Sequence, residues 1–326
     1  MVKKDSNINL YFLYRDNIGL THKKNVLSLI DYSKDEINQI ILTASNIKNN
    51  KLKLSPMPFE KKTGVLIFEK PSLRTRITFE TAIYELGGFP IYLSSEQIQM
   101  GKRESIKDVA KNLERWVHLI IARTFLHKTV AMLAINSSIP VINALSDKFH
   151  PCQALAFGLT IREKLNDKKK INVVFIGDGN NVCNSIMVLS AKLGWNFIAC
   201  GPKGYQPDSK ILYICKEISK LTGSKIEIFN NPQKAVQNAD VIYTDVWTSM
   251  GQEKERALRR KIFAPYQVNS KLLLKAPKEV IVSHCLPAHR GEEITDDVLD
   301  SSKSVALDEA ENRLHVQKAA IINLFS

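Results

Sequence analysis

Short runs of apolar, often β-branched residues alternate along the chain with longer stretches whose apolar positions recur at helical spacing. Runs at 64–68, 89–93, 118–122 and 140–143 read as strands, and stretches such as 79–86 and 105–116 read as the helices between them. The polar run Asn166-Asp167-Lys168-Lys169-Lys170 interrupts this pattern, and a second series begins immediately after it. Its strands are expected at 172–176, 196–200, 226–229, 241–244 and 280–283, with helices such as 182–193 and 209–222 between them. Strands that alternate with helices predict an α/β fold: two domains, each with a central parallel sheet flanked by helices, with a boundary near residue 150. Such sheets bind ligands beyond the carboxyl ends of their strands. The last stretch, 309–325, places Leu314, Ala319, Ile321, Ile322 and Phe325 around Arg313 and Lys318 and reads as a closing helix.

Composition narrows the class. At 326 residues and 44% apolar content the chain can build about two cores, which excludes disordered and fibrous proteins. Lys and Arg number 46 against 33 Asp and Glu, a net charge of +13. The excess is spread over both halves, and its densest clusters, Lys168-Lys169-Lys170 and Arg259-Arg260-Lys261, are three residues long. Without a basic tail or interleaved aromatics, this reads as solvated surface, and no nucleic-acid partner is expected. The cysteines at 152, 183, 200, 215 and 285 are odd in number and lack a C-x-x-C pair, so they are expected as reduced thiols in a cytosol. The first twenty residues are interrupted by Asp5, Asn7, Asn9, Arg15 and Asp16, unlike a signal peptide, and no run approaches the ~20 apolar residues of a membrane span. The expectation is a cytoplasmic protein with no membrane partner.

Several segments at strand ends carry candidate chemistry. Ser72-Leu73-Arg74-Thr75-Arg76 follows a strand and opens a helix, where free N–H groups, two hydroxyls and a guanidinium can hold an oxyanion; Ser72 or Thr75 can equally be a simple cap. Arg123-Thr124 follows the strand at 118–122. In His150-Pro151-Cys152-Gln153, His150 and Gln153 sit at i, i+3 and can act together as donors to a carbonyl oxygen, or serve as a cap and a solvated amide. Gly177-Asp178-Gly179-Asn180-Asn181-Val182 is close to a dinucleotide fingerprint, but Val182 replaces its third glycine. Asparagine amides suit the carboxylate of an amino acid better than a pyrophosphate, so no nucleotide cofactor is expected. Asp245, after the strand at 241–244, can pair with an ammonium, and Ser249 with its neighbouring amides can hold a carboxylate. His284-Cys285-Leu286-Pro287 closes another strand. A zinc site from His284, Cys285 and His289 matches no standard ligand spacing, so no metal is expected, and a buried structural Cys285 is the simpler alternative.

Taken in order, Ser72-Leu73-Arg74-Thr75-Arg76, Arg123-Thr124, His150-Pro151-Cys152-Gln153, Gly177-Asp178-Gly179-Asn180-Asn181, Asp245-Val246-Trp247-Thr248-Ser249-Met250-Gly251, His284-Cys285-Leu286-Pro287 and Glu311-Asn312-Arg313 resemble the aspartate/ornithine carbamoyltransferase family, and its ornithine branch in the Asp245 and His284 motifs. The resemblance implies a carbamoyl phosphate domain over 1–150, completed by a C-terminal helix at about 309–326 packing back on it, and an ornithine domain over 151–308. It implies carbamoyl phosphate held by Ser72, Leu73 through its backbone, Arg74, Thr75, Arg123, His150, Gln153 and Arg313, with Cys285 and Leu286 near the reacting nitrogen. Gln99 stands where family members, which are homotrimers with shared active sites, lend a loop Gln to the neighbouring subunit. Ornithine would bind through Asn181, Asp245, Ser249 and Met250. Catalytic roles would fall to Arg123, His150, Cys285 and Arg74, with no cofactor. Leu73 departs from the Thr of many relatives and gives up one hydroxyl. Another amine acceptor, N-acetylornithine, putrescine or aspartate, is the alternative.

Overall fold

The four apolar runs of the first half form one parallel sheet in the computed structural model, which describes residues 25–98, 100–101, 103–166, 168–248 and 253–325. β1 (Thr63–Phe68), β2 (Phe89–Ser94), β3 (Leu119–Arg123) and β4 (Val141–Leu145) lie in the order β2-β1-β3-β4. β1 and β3 are central and covered on both faces, which is why they read as unbroken apolar runs. The longer helices described in this unit include α1 (Lys34–Lys48), α2 (Leu73–Glu85), α3 (Ile106–Trp116) and α4 (His127–Asn136). Serine caps set three of their starts: Ser33, in a capping box with Glu36, Ser72 and Ser105. Helix α2 begins six residues earlier than its periodicity predicts, because in its first turn only Thr75 is buried and the apolar stripe starts at Phe79.

The second sheet contains β5 (Asn172–Ile176), β6 (Asn196–Cys200), β7 (Ile226–Phe229), β8 (Val241–Thr244) and β9 (Ile281–His284), all parallel, in the order β7-β6-β5-β8-β9. Around it lie α5 (Pro151–Lys164), α6 (Asn181–Leu193), α7 (Ser209–Thr222), α8 (Arg256–Phe263) and α9 (Ala306–Phe325). Every residue of α6 from Val182 to Leu193 is buried, the polar Asn184, Ser185, Ser190 and Lys192 included. Helices α6 and α7 each stop on a left-handed glycine, Gly194 (φ +82) and Gly223 (φ +73).

The chain divides into two compact units, Met1–Cys152 with Leu314–Ser326, and Gln153–Arg313. The second half of α9 packs on the first unit: Phe325 meets Phe59 edge-on at 4.9 Å, and Lys318 Nζ donates to Glu85 at 2.6 Å.

Candidate functional site

The strand orders determine where each unit can bind a ligand. In the first sheet β2 and β3 lie on opposite sides of β1, so the chain leaves the neighbouring carboxyl ends of β1 and β3 in opposite directions and opens a crevice there. The segment 69–76 and Arg123 stand at those two ends. Ser72 caps α2, its hydroxyl accepting from Thr75 N–H at 3.4 Å. Thr75 is fully buried, whereas Leu73 is 72% exposed. Of the two arginines, Arg76 pairs with Glu80 at 3.0 Å and lies over the Tyr92 ring at 3.7 Å, whereas Arg74 stands in the first turn of α2.

Arg123 is the last residue of β3 rather than the first after it, and it is buried. A register shift between Ala122 and Arg123 pairs it with Leu145, and its carbonyl accepts from Glu69 N–H at 2.8 Å. The two strand ends are thereby joined. The loop leading to His150 is organised by groups the sequence did not suggest. Asn143 Nδ2 donates to Leu27 O at 3.0 Å, to Ser146 Oγ at 3.1 Å and to Phe149 O at 3.3 Å. His127 Nδ1 meets Ser146 Oγ at 2.9 Å, and its ring packs edge-on against Phe149 at 5.2 Å. Burial lowers the His127 pKa to about 4, so the ring is neutral at pH 7. This frame carries His150, itself buried, to the start of α5.

In the second sheet the corresponding reversal lies between β5 and β8. At the end of β5, a side chain on Gly179 would come within 2.2 Å of the Gln206–Pro207 backbone, so the close approach this glycine allows is taken up by the chain itself. Asn180 makes three contacts here. Its Oδ1 caps α6 by accepting from Val182 N–H and Cys183 N–H, while its Nδ2 donates to Asp245 Oδ2 at 2.7 Å. Asn181 Oδ1 accepts from Val182 N–H at 3.0 Å. Arg259 of α8 is buried rather than solvated, in contrast to the reading of its basic triplet. It donates to Asp178 Oδ2 at 2.8 Å, to Trp247 O at 3.0 Å and to Glu255 Oε2 at 2.8 Å. Burial raises the Asp178 pKa, and Arg259 opposes that rise.

Cys285 follows β9, and its Sγ donates to Asp245 Oδ1 at 2.8 Å. Burial first, then the nearby Asp245, pushes this thiol well above its ordinary pKa, so it is a neutral S–H at physiological pH. Leu286 adopts a left-handed backbone (φ +53), which costs a branched L-residue about 1–3 kcal/mol. Its N–H donates to His284 Nδ1 at 2.8 Å, and His284 Nε2 meets the buried Glu293 at 3.1 Å. Asp245, His284 and Cys285 bring one possible ligand atom each within 4.8 Å of one another. Both nitrogens of His284 are already engaged, so metal ligation would break one of these contacts.

Gln153 was expected as a donor to a carbonyl. Its Nε2 instead donates to Glu309 Oε1 at 2.5 Å, and its Oε1 is buried and receives no hydrogen bond among the described residues. Arg313 is buried on α9, beside Asn312, whose amide donates to Thr160 at 2.9 Å and Glu163 at 2.8 Å. Gln99, Ser249 and Met250 lie outside the described residues. Sequence reasoning missed Asn180, Arg259, His127, Asn143, Glu293 and Glu309, and of these only Asn180, inside a motif already singled out, left a local signal.

The first unit thus gathers arginine, hydroxyl and imidazole side chains at its strand ends, and the second gathers a carboxylate beside a neutral thiol. This is the equipment of a two-domain transferase with an anionic donor and a cationic acceptor. The carbamoyl-P binding domain of the aspartate/ornithine carbamoyltransferases matches residues 24–163, and their Asp/Orn binding domain matches residues 169–324. The chain belongs to the aspartate/ornithine carbamoyltransferase family. It is 49% identical over 299 residues to the ornithine carbamoyltransferase of Thermococcus kodakarensis, covering 91% of this chain and 95% of that one. The solved ornithine carbamoyltransferase of Pyrococcus furiosus has a TM-score of 0.87 at 49% identity, over 91% of this chain and 95% of that one. A structure of N-acetyl-L-ornithine transcarbamylase has a TM-score of 0.84 at 28% identity, over 92% and 99%. The fold therefore accommodates more than one acceptor.

Proposed function

We propose that this chain transfers the carbamoyl group of carbamoyl phosphate to the side-chain amine of L-ornithine, giving L-citrulline and phosphate in arginine metabolism. Ser72, Leu73, Arg74, Thr75, Arg123, His150, Gln153 and Arg313 are assigned to carbamoyl phosphate. The N-terminus of α2 with Ser72, Leu73 N–H, Arg74 and Thr75 binds the phosphate, and Arg123 and His150 stabilise the oxygen that becomes negative as the amine attacks. The amine nitrogen forms a bond to the carbamoyl carbon and gives up one proton, and the bond from that carbon to the phosphate oxygen breaks. An amine with lysine's pKa of ~10.4 is neutral in fewer than roughly one molecule in a thousand at pH 7, so the site must select that form. A neutral Cys285 thiol and the backbone at Leu286 are suited to orienting a neutral amine, since neither offers a full charge. Asn181 and Ser249, with Met250, are assigned to the amino-acid end of ornithine.

The observation that carries the choice of acceptor is Asp245, fixed by Asn180 and Cys285 at the carboxyl end of β8. A carboxylate there attracts an α-ammonium, opposes aspartate, and finds no α-ammonium in N-acetylornithine and no amino-acid end in putrescine. Phosphate release measured with ornithine, N-acetylornithine, putrescine and aspartate tests this. Ornithine should be preferred by at least about a hundredfold in kcat/KM, and turnover confined to another acceptor would overturn the assignment. The same reading makes the protein a cytoplasmic homotrimer. Its five cysteines are free thiols, and no helix among the described residues is long and apolar enough to cross a membrane, which supports the location. Exposed aromatics on the first unit, Tyr84, Phe89 and Trp116, support the assembly.

A further inference from the structure

Glu309 lies in the first turn of α9, fully buried, and the chemistry above gives it no task. Three donors converge on it from three elements. Gln153 Nε2 of α5 and Tyr243 OH of β8 both meet Oε1, at 2.5 and 2.7 Å, and Ser283 Oγ of β9 meets Oε2 at 2.5 Å. The Tyr243 ring is stacked on Phe175 at 5.7 Å and met edge-on by Phe157 at 5.2 Å, so this cradle sits on packed core. Burial pushes the Glu309 carboxyl up to about 7. An apolar side chain of similar size would fill the space without that penalty, so packing alone does not account for a glutamate here.

An amide has one donating end and one accepting end, and a carboxylate oxygen only accepts. The contact to Glu309 therefore fixes the direction of the Gln153 amide. Nε2 is committed, and Oε1, buried and receiving no hydrogen bond among the described residues, faces away from it. We propose that Glu309 is a positioning residue that holds Gln153 with its carbonyl oxygen presented to substrate, as an acceptor for the N–H groups of the carbamoyl moiety. This rests on the assignment of Gln153 to the carbamoyl phosphate site. The orientation does not depend on the ionisation of Glu309: a proton on Oε2 faces the Ser283 hydroxyl, which can accept it, while Oε1 goes on accepting from Gln153.

The test is steady-state kinetics of the full chain with both substrates, on Gln153→Ala, Glu309→Gln, their double variant, and Ser283→Ala. In Glu309→Gln the new amide can donate to Gln153, which can then turn over and meet the carbamoyl N–H groups with its own. We expect kcat to fall about thirtyfold or more while KM for ornithine stays within about twofold, and the double variant to be no worse than Gln153→Ala, because the two changes remove one interaction. Ser283→Ala loosens Glu309 without touching Oε1 and should keep kcat within about threefold. Should Glu309→Gln fail to fold, Glu309→Asp, which withdraws the oxygen by one methylene, is read in the same way. A Glu309→Gln kcat within threefold of the parent, or losses that simply add in the double variant, overturns the role of Glu309. A Gln153→Ala protein as active as the parent overturns the assignment of Gln153 itself, and the role of Glu309 with it.

Discussion

His127 shows how a single buried residue behind the His150 loop can make a site sensitive to acid. Its imidazole is held neutral by burial, with a pKa near 4 against an ordinary 6.5. Between those values the unfolded chain binds a proton that the folded chain does not, so the contribution of His127 is complete above pH 6.5 and is lost as pH falls through 4. A shift of this size corresponds to about 2–3 kcal/mol by pH 4.5. His127→Gln is therefore expected to lose less stability than the parent between pH 7.5 and 4.5, by about that amount, in denaturant titrations at the two pH values. Equal losses in both proteins would show that His127 is not the acid-sensitive group. Glu309 has the opposite sign: its carboxyl is pushed up to about 7, so its contribution is present below the ordinary carboxyl value and is lost as pH rises to 7. The two offset each other, and only differences between variant and parent separate them.

At the scale of elements, α8 ties together two strand ends through one side chain. Arg259 reaches Asp178, beyond β5, and Trp247, beyond β8. Arg259→Met would leave Asp178 buried without its cation, a change that typically costs about 3–5 kcal/mol. The melting temperature should fall, and KM for ornithine should rise by about tenfold or more while KM for carbamoyl phosphate moves less than about twofold. Equal changes in both constants would mean that Arg259 supports the whole fold and not the Asp245 loop. This residue also marks a limit of sequence reading. The central strands were legible to within a residue or two because a parallel strand covered on both faces must be apolar throughout. The strand-end position of the motifs was legible because they follow apolar runs in the sequence. Arg259 was read as part of a solvated basic triplet, and in the structure Arg260 is indeed 60% exposed while Arg259 is buried. What buries it is Asp178, 81 residues away, just as Gln153 finds Glu309 across 156 residues. No local pattern encodes such pairs, and the donor or acceptor end of an amide is decided by them.

For the whole molecule, the first unit leaves aromatic surface that a lone subunit has little reason to expose. Tyr84, Phe89 and Trp116 are 74%, 66% and 69% exposed, and β2, which carries Phe89, is an edge strand of its sheet among the described residues. The proposed trimer would cover such surface with neighbouring subunits, and the family resemblance assigns Gln99 to the active site of the next subunit. Shared sites have a consequence that isolated sites lack. Gln99→Ala and Arg123→Gly should each be nearly inactive alone, since one lacks the lent residue and the other its own oxyanion donor. In hybrids formed by unfolding and refolding an equal mixture, a site is intact when its own chain carries Arg123 and its neighbour carries Gln99. Random assembly makes this true of about one site in four, so the mixture should regain about a quarter of the parent activity. A mixture as inactive as its components would show that each subunit builds its site alone, and the exposed aromatics would then need another partner.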